Sequence, residues 1–416
     1  MKRALPIWTM VCGLIIVLVL SFISTEMASA QDRLSITGQM RQRTEYSAKD
    51  FNADVDNPTF TFLRTRLNVG VEATEDVKVF VQFQDSRVWG GAGGTIAGSA
   101  PALDAHQAYF TVSNVFDSEF SAKVGRQEIN IGNQRLVGAV GWSNIGRTFD
   151  AAVLSYAGEK ASFQVLASRL VGATGVATGQ SLYGVSVKYP YEGGRIEGLG
   201  LFDTDSDMIG AGADAGERLR SRITAGVAAY GAKSDFDYEL EGYYQTGDVF
   251  EPATGELGSL GAYLASAKVG YTVNTENKLR IGGLFTLVSG DEDAADGDVG
   301  NFNTLFATNH KFYGFMDYFV GSASFAKGLQ DIGLSLSVMA KEDLKLSLDL
   351  HQFSGTEVDS ALDDVYGQEV DVTLNYKYNS AMSIIVGLSA FSPGDDFAGA
   401  DPDNAYWGYI STVVNF

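Results

Sequence analysis

The amino-acid sequence predicts an all-β protein, a transmembrane antiparallel β-barrel of about 18 strands with short periplasmic turns and long extracellular loops. Three observations predict it: a loosely alternating segment, 406–415, that ends on Phe416; many other segments of period two; and connections that alternate between short and long. A final alternating strand with a terminal aromatic is typical of bacterial outer-membrane barrels. We therefore expect the bacterial outer membrane as the location.

Residues 1–30 have the organisation of a secretory signal peptide. Lys2 and Arg3 precede an apolar run at 11–23, and Ala28-Ser29-Ala30 is a small-residue cleavage site. A retained membrane anchor would need about 20 apolar residues. We expect residues 31–416 to form a single barrel domain. The one cysteine, Cys12, would leave with the signal, which excludes disulfides and thiol catalysis in the mature chain.

Composition favours a barrel over a helical membrane protein. Mean hydropathy is near zero, and no later segment is apolar for long enough to span a bilayer as a helix. Alternate residues of a barrel strand touch lipid, which gives such a composition. The soluble alternative is a large β-sandwich or two domains, but no linker or composition break divides the chain.

Period-two segments mark the predicted strands. In segment 34–46, Leu34, Ile36 and Met40 fall on one face and polar residues on the other, as expected for lipid and a wet lumen. Similar alternation occurs at 60–73, 77–84, 263–272 and 344–351. Strands of a soluble sandwich would show the same alternation of apolar and polar residues. The lengths of the connections therefore distinguish the two folds.

Short connections are expected near 75–76, 114–117, 158–159, 190–194, 232–235, 274–277, 342–343 and 379–380. Long, Gly- and Asp-rich connections are expected near 47–58, 85–104, 132–146, 170–180, 203–219, 246–260, 289–328, 353–368 and 392–404. Strict alternation of the two kinds implies an even strand number with both termini in the periplasm.

A barrel of this size is too wide for its own side chains to fill, so it leaves a channel or holds a plug. Passage of solutes is therefore the default function. The longest connection, 289–328, contains an aromatic piece at 312–319. We expect this piece either to fold into the barrel mouth or to form an extra hairpin.

The predicted luminal faces carry a series of arginines, Arg41, Arg43, Arg64, Arg66, Arg220, Arg222 and Arg280. Planar guanidinium groups pair carboxylates and phosphates bidentately, so these arginines could form a ladder for an anionic solute. Equally, they could pair with inward acids and hold the wall. Those acids are Glu45, Glu72, Glu239, Glu241 and Asp371. The sequence leaves both alternatives open.

The chain is strongly acidic. Its formal charge of −21 becomes −22 without Lys2, Arg3 and Glu26, which argues against nucleic acid as a partner. Acids concentrate in the expected long connections, at 203–207, 291–298, 363–364, 395–396 and 401–403. They are interpreted as solvated loop tips or as divalent-cation ligands that bridge to lipopolysaccharide. The spacing at 291–297 is not that of an EF-hand, so no metal site is assigned.

The apolar parity switches around Gly125: Phe120 and Val124 are even, whereas Ile129 and Ile131 are odd. We expect a bulge at this glycine, because an extra residue resets which face each side chain meets. Such a bulge would turn Arg126, Glu128 and Asn130 toward the lumen.

Segments 125–132, 135–138, 142–144 and 146–150, with 302–306 and 308–314, resemble the alginate export family of outer-membrane barrels. The resemblance implies a monomeric barrel of about 18 strands whose arginine-rich pore passes an anionic polysaccharide. On the matching positions it implies that Arg126, Arg135, Arg147 and Asp150 are pore or constriction residues.

We therefore expect a channel for anionic solutes, with a uronate-type saccharide as one possibility; the alternatives are a general diffusion porin and a structural surface barrel. Outer-membrane lipid and the barrel assembly machinery are the other expected partners. An enzyme would need a paired nucleophile and base. His106, His310 and His351 have no serine at a recognisable spacing, so no catalytic residue and no cofactor is assigned.

We predict that the mature protein begins at Gln31, because the cleavage site directly follows the apolar run. Intact-mass spectrometry of protein extracted from outer membranes measures this. A mass that still includes residues 1–30 would contradict the signal-peptide interpretation.

Overall fold

The computed structural model describes residues 33–91, 103–170, 179–208, 216–252, 254–293, 296–357, 364–395, 397–399 and 401–416. The predicted signal peptide and Cys12 lie outside these ranges. Among the described residues, no helix is long and apolar enough to cross a membrane.

Strands make up most of the described chain. They are β1 Leu34–Ala48, β2 Thr59–Glu72, β3 Val77–Val88, β4 Asp104–Val112, β5 Phe120–Gln127, β6 Phe149–Ala157, β7 Ser162–Arg169, β8 Gln180–Tyr191, β9 Gly194–Met208, β10 Arg218–Lys233, β11 Phe236–Glu251, β12 Glu256–Thr272, β13 Arg280–Val288, β14 Asp298–Val299, β15 Leu329–Lys341, β16 Leu344–Ser354, β17 Val365–Lys377, β18 Met382–Pro393 and β19 Ala405–Asn415. Two short 3₁₀ turns, Asn309–Lys311 and Ser322–Phe325, lie between β14 and β15.

Eighteen of these strands form one closed antiparallel barrel, which confirms the predicted fold class and strand number. Each barrel strand pairs with its sequence neighbours, and β1 pairs with both β2 and β19. The two-residue β14 stands apart from the ring and pairs in parallel with β12. The ladder of the closing strand extends to the last residue, because Gly38 and Phe416 exchange backbone hydrogen bonds of 2.7 and 3.0 Å.

Short and long connections alternate around the ring as expected, with two corrections. The expected long connection at 246–260 is wrong: β11 and β12 extend to Glu251 and from Glu256, leaving four residues between them. The acids at 203–207 do not lie in a loop, because β9 continues to Met208. Asp203 is buried there against the arginines of β10.

Side chains alternate between the two surfaces of the wall as the sequence predicts. Leu34, Ile36 and Met40 are exposed on the outside, and Arg41 and Arg43 are buried inside. Exposed outer aromatics gather toward both ends, with Tyr46, Tyr183, Tyr244, Tyr263 and Tyr406 nearer the long connections and Tyr189, Phe236 and Tyr271 nearer the short turns. Such girdles mark the two membrane interfaces of an outer-membrane barrel.

Two long connections fold inside the barrel. We call residues 128–148, between β5 and β6, the first inward loop, and residues 289–328, between β13 and β15, the second inward loop. Their apolar side chains form one buried cluster, which includes Ile131, Val137, Phe302, Phe312 and Tyr313. The aromatic piece of the second loop thus folds inward and is not an extra hairpin, and the inward position of the first loop was not predicted. The alternating apolar residues of the first loop need the same burial from water.

Lipid-facing and lumen-facing positions should differ in their tolerance of charge. Leu67→Arg should cost roughly 2–4 kcal/mol of folding free energy, because Leu67 is exposed on the lipid side of β2. The matched control Asn68→Arg places the same side chain in the lumen, where Asn68 bonds to Thr37 and Gln82, and should cost much less. Denaturant titration of protein refolded into vesicles measures both. Equal costs would contradict the assigned faces.

Candidate functional site

The two inward loops join each other through backbone hydrogen bonds. Val137 and Phe306 form a parallel bridge. The Gly138 amide donates to the Phe306 carbonyl at 2.8 Å, and the Phe306 amide donates to the Leu136 carbonyl at 2.8 Å. One of the family-like arginines reinforces this contact, since Arg147 donates to the carbonyls of Phe306 and Ala307. The loops therefore form one body inside the barrel.

An aromatic stack also connects the loops. Trp142 of the first loop lies parallel to His310 of the second, with ring centroids 4.3 Å apart. The Arg43 guanidinium covers the Trp142 ring at 3.8 Å. His310 also stacks with Phe315 and lies 2.7 Å from an oxygen of Asp317. The Arg43 guanidinium thus adds a cation to the stack of Trp142 and His310, which joins the two loops.

Arginines of β1 and β2 hold the tip of the first inward loop. Arg41 donates to the carbonyls of Gly141 and Ser143, both at 2.8 Å. Arg64 donates to the same two carbonyls at 3.2 and 3.1 Å. Arg43 donates to the Trp142 carbonyl at 2.6 Å. These three arginines therefore bind three consecutive carbonyl groups.

Uncharged side chains of β3 continue this pattern. Ser86 Oγ donates to the Asn144 carbonyl at 2.7 Å, and Gln84 Nε2 donates to the Ile145 carbonyl at 2.8 Å. All five carbonyls of residues 141–145 are thus bound by the wall. These contacts hold the tip of the first inward loop against β1, β2 and β3.

Arg66 holds the beginning of the first inward loop through a charged contact. Its Nη1 lies 3.1 Å from Glu128 Oε1, and His106 Nε2 lies 3.0 Å from the same oxygen. Burial alone would raise the pKa of Glu128. The hydrogen bond with His106 and the charge of Arg66 outweigh burial and hold that pKa below its usual value. The lowered pKa keeps Glu128 ionised, and its contacts with Arg66 and His106 show that it faces inward. We call Arg41, Arg43, Arg64 and Arg66 the basic anchor.

Carboxylates of β17 hold the second inward loop. Glu369 accepts from the Met316 amide at 2.8 Å, and Asp371 accepts from the Phe315 amide at 3.4 Å. Gly314 permits this approach: its φ is +78°, and a Cβ there would lie 2.6 Å from the Glu369 carboxylate. We call Glu369 and Asp371 the acidic anchor. Its hydrogen bonds run in the opposite direction to those of the basic anchor, because here the loop backbone donates and the wall accepts.

Arg135 anchors the loops on the opposite side of the ring. It donates to Glu241 Oε2 of β11 at 3.1 and 2.9 Å, and both side chains are almost fully buried. The Phe312 ring covers its guanidinium at 3.8 Å. Burial would lower the pKa of Arg135, but the Glu241 carboxylate outweighs burial and raises it. Arg135 is thus a charged interior contact.

The remaining luminal arginines pair with wall acids. Arg220 and Arg222 share Asp203, and Arg280 binds Asp237 at 2.8 and 2.6 Å. Glu72 binds Lys78 at 2.5 Å. The described residues contain no group of three or more His, Cys, Asp or Glu side chains that could hold a metal ion.

Two of the expected pore residues, Arg126 and Asp150, lie on the outer surface of the barrel. Arg126 pairs with Asp150 across β5 and β6, on the same outer face as the exposed Leu154. The register runs through Gly125 without a shift, so the expected bulge is wrong. Gly125 instead adopts a φ of +129°, and a Cβ there would lie 2.3 Å from the Ala108 carbonyl oxygen. Arg126 and Asp150 therefore do not line the lumen.

The sequence reasoning missed Glu369 and the stack of Trp142 on His310. Glu369 had a detectable signal, since it alternates with Val370 in the same pattern that indicated Asp371. Trp142 and His310 lie 168 positions apart, and no local pattern joins them.

We expect Arg135→Gln to destabilise the protein by about 3–5 kcal/mol, because Glu241 would remain buried without its cation. Tryptophan fluorescence during denaturant unfolding in vesicles measures the change. Arg280→Gln is the matched control: it breaks a similar pair with Asp237 that is partly exposed, and should cost at most about 1 kcal/mol. Equal effects would show that the buried pair is not an anchor.

Comparison with known proteins supports this architecture. The model of the alginate export family matches residues 32–406. A comparison with curated proteins finds no match. OccK5 (OpdH) from Pseudomonas aeruginosa is 11% identical, with 92% of this chain and 98% of that chain covered and a TM-score of 0.61. A BenF-like porin from Pseudomonas fluorescens Pf-5 is also 11% identical, with 92% and 99% covered and a TM-score of 0.61.

OccAB4 from Acinetobacter baumannii is 10% identical, with 92% of this chain and 98% of that chain covered and a TM-score of 0.60. At these identities the likeness shows the fold, which is the barrel of outer-membrane porins. The family match extends over most of the chain and includes both inward loops. The chain belongs to the alginate export family and is a β-barrel of the bacterial outer membrane.

Proposed function

We propose that the protein is a solute channel whose narrow part is formed by the two inward loops. An 18-stranded barrel is too wide for its wall side chains to fill. The loops occupy this space and bind opposite parts of the ring, β1 and β2 through the basic anchor and β11 through Arg135. The long connections would face the cell exterior and both termini the periplasm.

We propose further that the channel prefers anionic solutes, with uronate-type saccharides as the substrate class suggested by the family's name. The basic anchor carries this proposal. Among the described residues, Glu45 and Glu128 are the carboxylates that form ion pairs with its four guanidinium groups. The loop carbonyls that bind Arg41 and Arg64 carry no net charge. A positive charge excess in a low-dielectric wall attracts anions.

A general diffusion porin without saccharide specificity is the second candidate. It is favoured by the pairing of the other luminal arginines, since Asp203, Asp237 and Glu241 already bind them. Arginines bound in this way offer less hydrogen-bonding capacity to a solute. Selectivity would then follow size more than charge.

The proposal extends to how the chain reaches and enters the outer membrane. We infer that the chain is cleaved after Ala30 and inserted as a monomer by the barrel assembly machinery, which would recognise the last strand. The pairing of β19 with β1 supports the role of the last strand, because this pairing closes the ring. Lipid and lipopolysaccharide would surround the outer wall.

Planar-bilayer recordings in asymmetric salt test the anion preference. The wild-type reversal potential should indicate anion selectivity, and oligouronates should block the current. Arg41→Gln combined with Arg64→Gln should shift the reversal potential toward cation selectivity and weaken the block. The shift should be larger at low ionic strength, because the screening length is about 8 Å at physiological salt.

The same arginines hold the first inward loop, so a control must loosen the loop without changing charge. Ser86→Ala removes an uncharged contact to the Asn144 carbonyl and no partner of the basic anchor. This control should change conductance and leave the reversal potential unaltered. A wild-type channel without anion preference would favour the general porin, and an unchanged potential in the arginine variant would remove the basic anchor as its source.

A further inference from the structure

A row of polar residues crosses the outer surface of β5 to β8. Arg126 stands opposite Asp150, Asp150 opposite Arg169, and Arg169 opposite Ser181 in the strand registers. Opposed residues share a face of the sheet, and this face is the outer one because Leu154 on β6 and Tyr183 on β8 are exposed there. The row therefore faces lipid and not the lumen.

The height of this row is set by the aromatic girdle. Tyr183 lies two residues from Ser181 on β8, on the side of the short turns, and pairs with Ala167 and Phe202. Two residues of a strand span about 7 Å. An aromatic girdle lies at the membrane interface, so the β8 end of the row, one step beyond Tyr183, lies at the level of the lipid head groups.

The row holds two arginines and one carboxylate. Arg126 donates to both oxygens of Asp150, at 2.8 and 2.9 Å, and these side chains remain 47% and 55% exposed. Arg169 flanks Asp150 from the other strand, and its Nη1 lies 3.4 Å from Ser181 Oγ. Two arginines thus surround one carboxylate. Adjacent strands are about 4.8 Å apart, so the backbones of the two arginines are about 10 Å apart.

Small residues leave a shallow groove directly below the row. Ala152 and Ala167 form its floor, and Val124 and Tyr183 lie at its sides. The groove runs from the exposed cations toward the lipid-facing band of the wall. This arrangement offers an apolar surface to a chain and a positive charge to its head group.

We propose that this outer groove binds a phosphorylated glycolipid of the outer leaflet. The lipid phosphate would contact Arg126 and Arg169, and an acyl chain would lie over Ala152 and Ala167. Guanidinium groups bind phosphate oxygens bidentately, and a phosphomonoester carries nearly two negative charges near neutral pH. The proposal uses the outward orientation of the long connections and is independent of what the channel passes.

Asp150 competes with the lipid phosphate in this arrangement, because it occupies Arg126. Asp150→Asn should therefore tighten lipid binding several-fold. An ion pair that only stabilises the wall would not give tighter lipid binding when Asp150 is neutralised. This variant therefore distinguishes a lipid-binding site from a purely structural ion pair.

Binding of purified bisphosphorylated lipid A to the full-length folded protein in detergent micelles, measured by native mass spectrometry, tests the site. Arg126→Gln with Arg169→Gln should weaken binding about tenfold, and Asp150→Asn should strengthen it. Arg280→Gln breaks a similar ion pair inside the barrel and should leave lipid binding unchanged. Heat-modifiable migration on semi-native gels establishes that each variant is folded.

Two further ligands identify the source of the phosphate. Dephosphorylated lipid A should bind the wild type no better than intact lipid A binds the double variant. Excess inorganic phosphate should not displace lipid A, because it lacks the acyl chains. Displacement with the same arginine dependence would indicate a site for free phosphate and overturn the lipid assignment. Equal lipid A affinity of the wild type and the double variant would overturn the site itself.

Discussion

Five consecutive backbone carbonyls, those of residues 141–145, need hydrogen-bond donors inside the barrel, and the wall provides all of them. A loop in water would satisfy these groups with solvent. Where the loop contacts the inner wall, side chains take the place of solvent as donors to these carbonyls. The arginines of β1 and β2 are therefore first of all the donors that hold this loop in place.

The second inward loop has the opposite requirement, since its backbone amides bond to acceptors on the wall. Its amides at Phe315 and Met316 need acceptors, and β17 supplies the carboxylates of Asp371 and Glu369. The backbone bridge between Val137 and Phe306 then joins the two loops. The joined loops are thus held at three places, by the basic anchor, the acidic anchor and the buried pair of Arg135 and Glu241.

This arrangement separates two properties of an arginine. Part of its hydrogen-bonding capacity is used by the loop carbonyls, but its positive charge remains, because a carbonyl does not neutralise it. In the proposed channel, Arg41 and Arg64 would therefore act on an anion through their electrostatic field. Selectivity of this kind depends on ionic strength and tolerates solutes of different shape.

The sequence by itself determined the barrel, the 18 strands, the alternation of connections and the facing of most side chains, because these follow from a period of two that is local to each strand. Local parity predicted that Arg41, Arg43, Arg64 and Arg66 face inward. Only the tertiary structure decided what they bind, because Arg41 and the Gly141 carbonyl are 100 positions apart. It likewise decided that Arg126 faces lipid, since the positive φ of Gly125 accommodates the neighbouring strand without a bulge that would have reversed the parity.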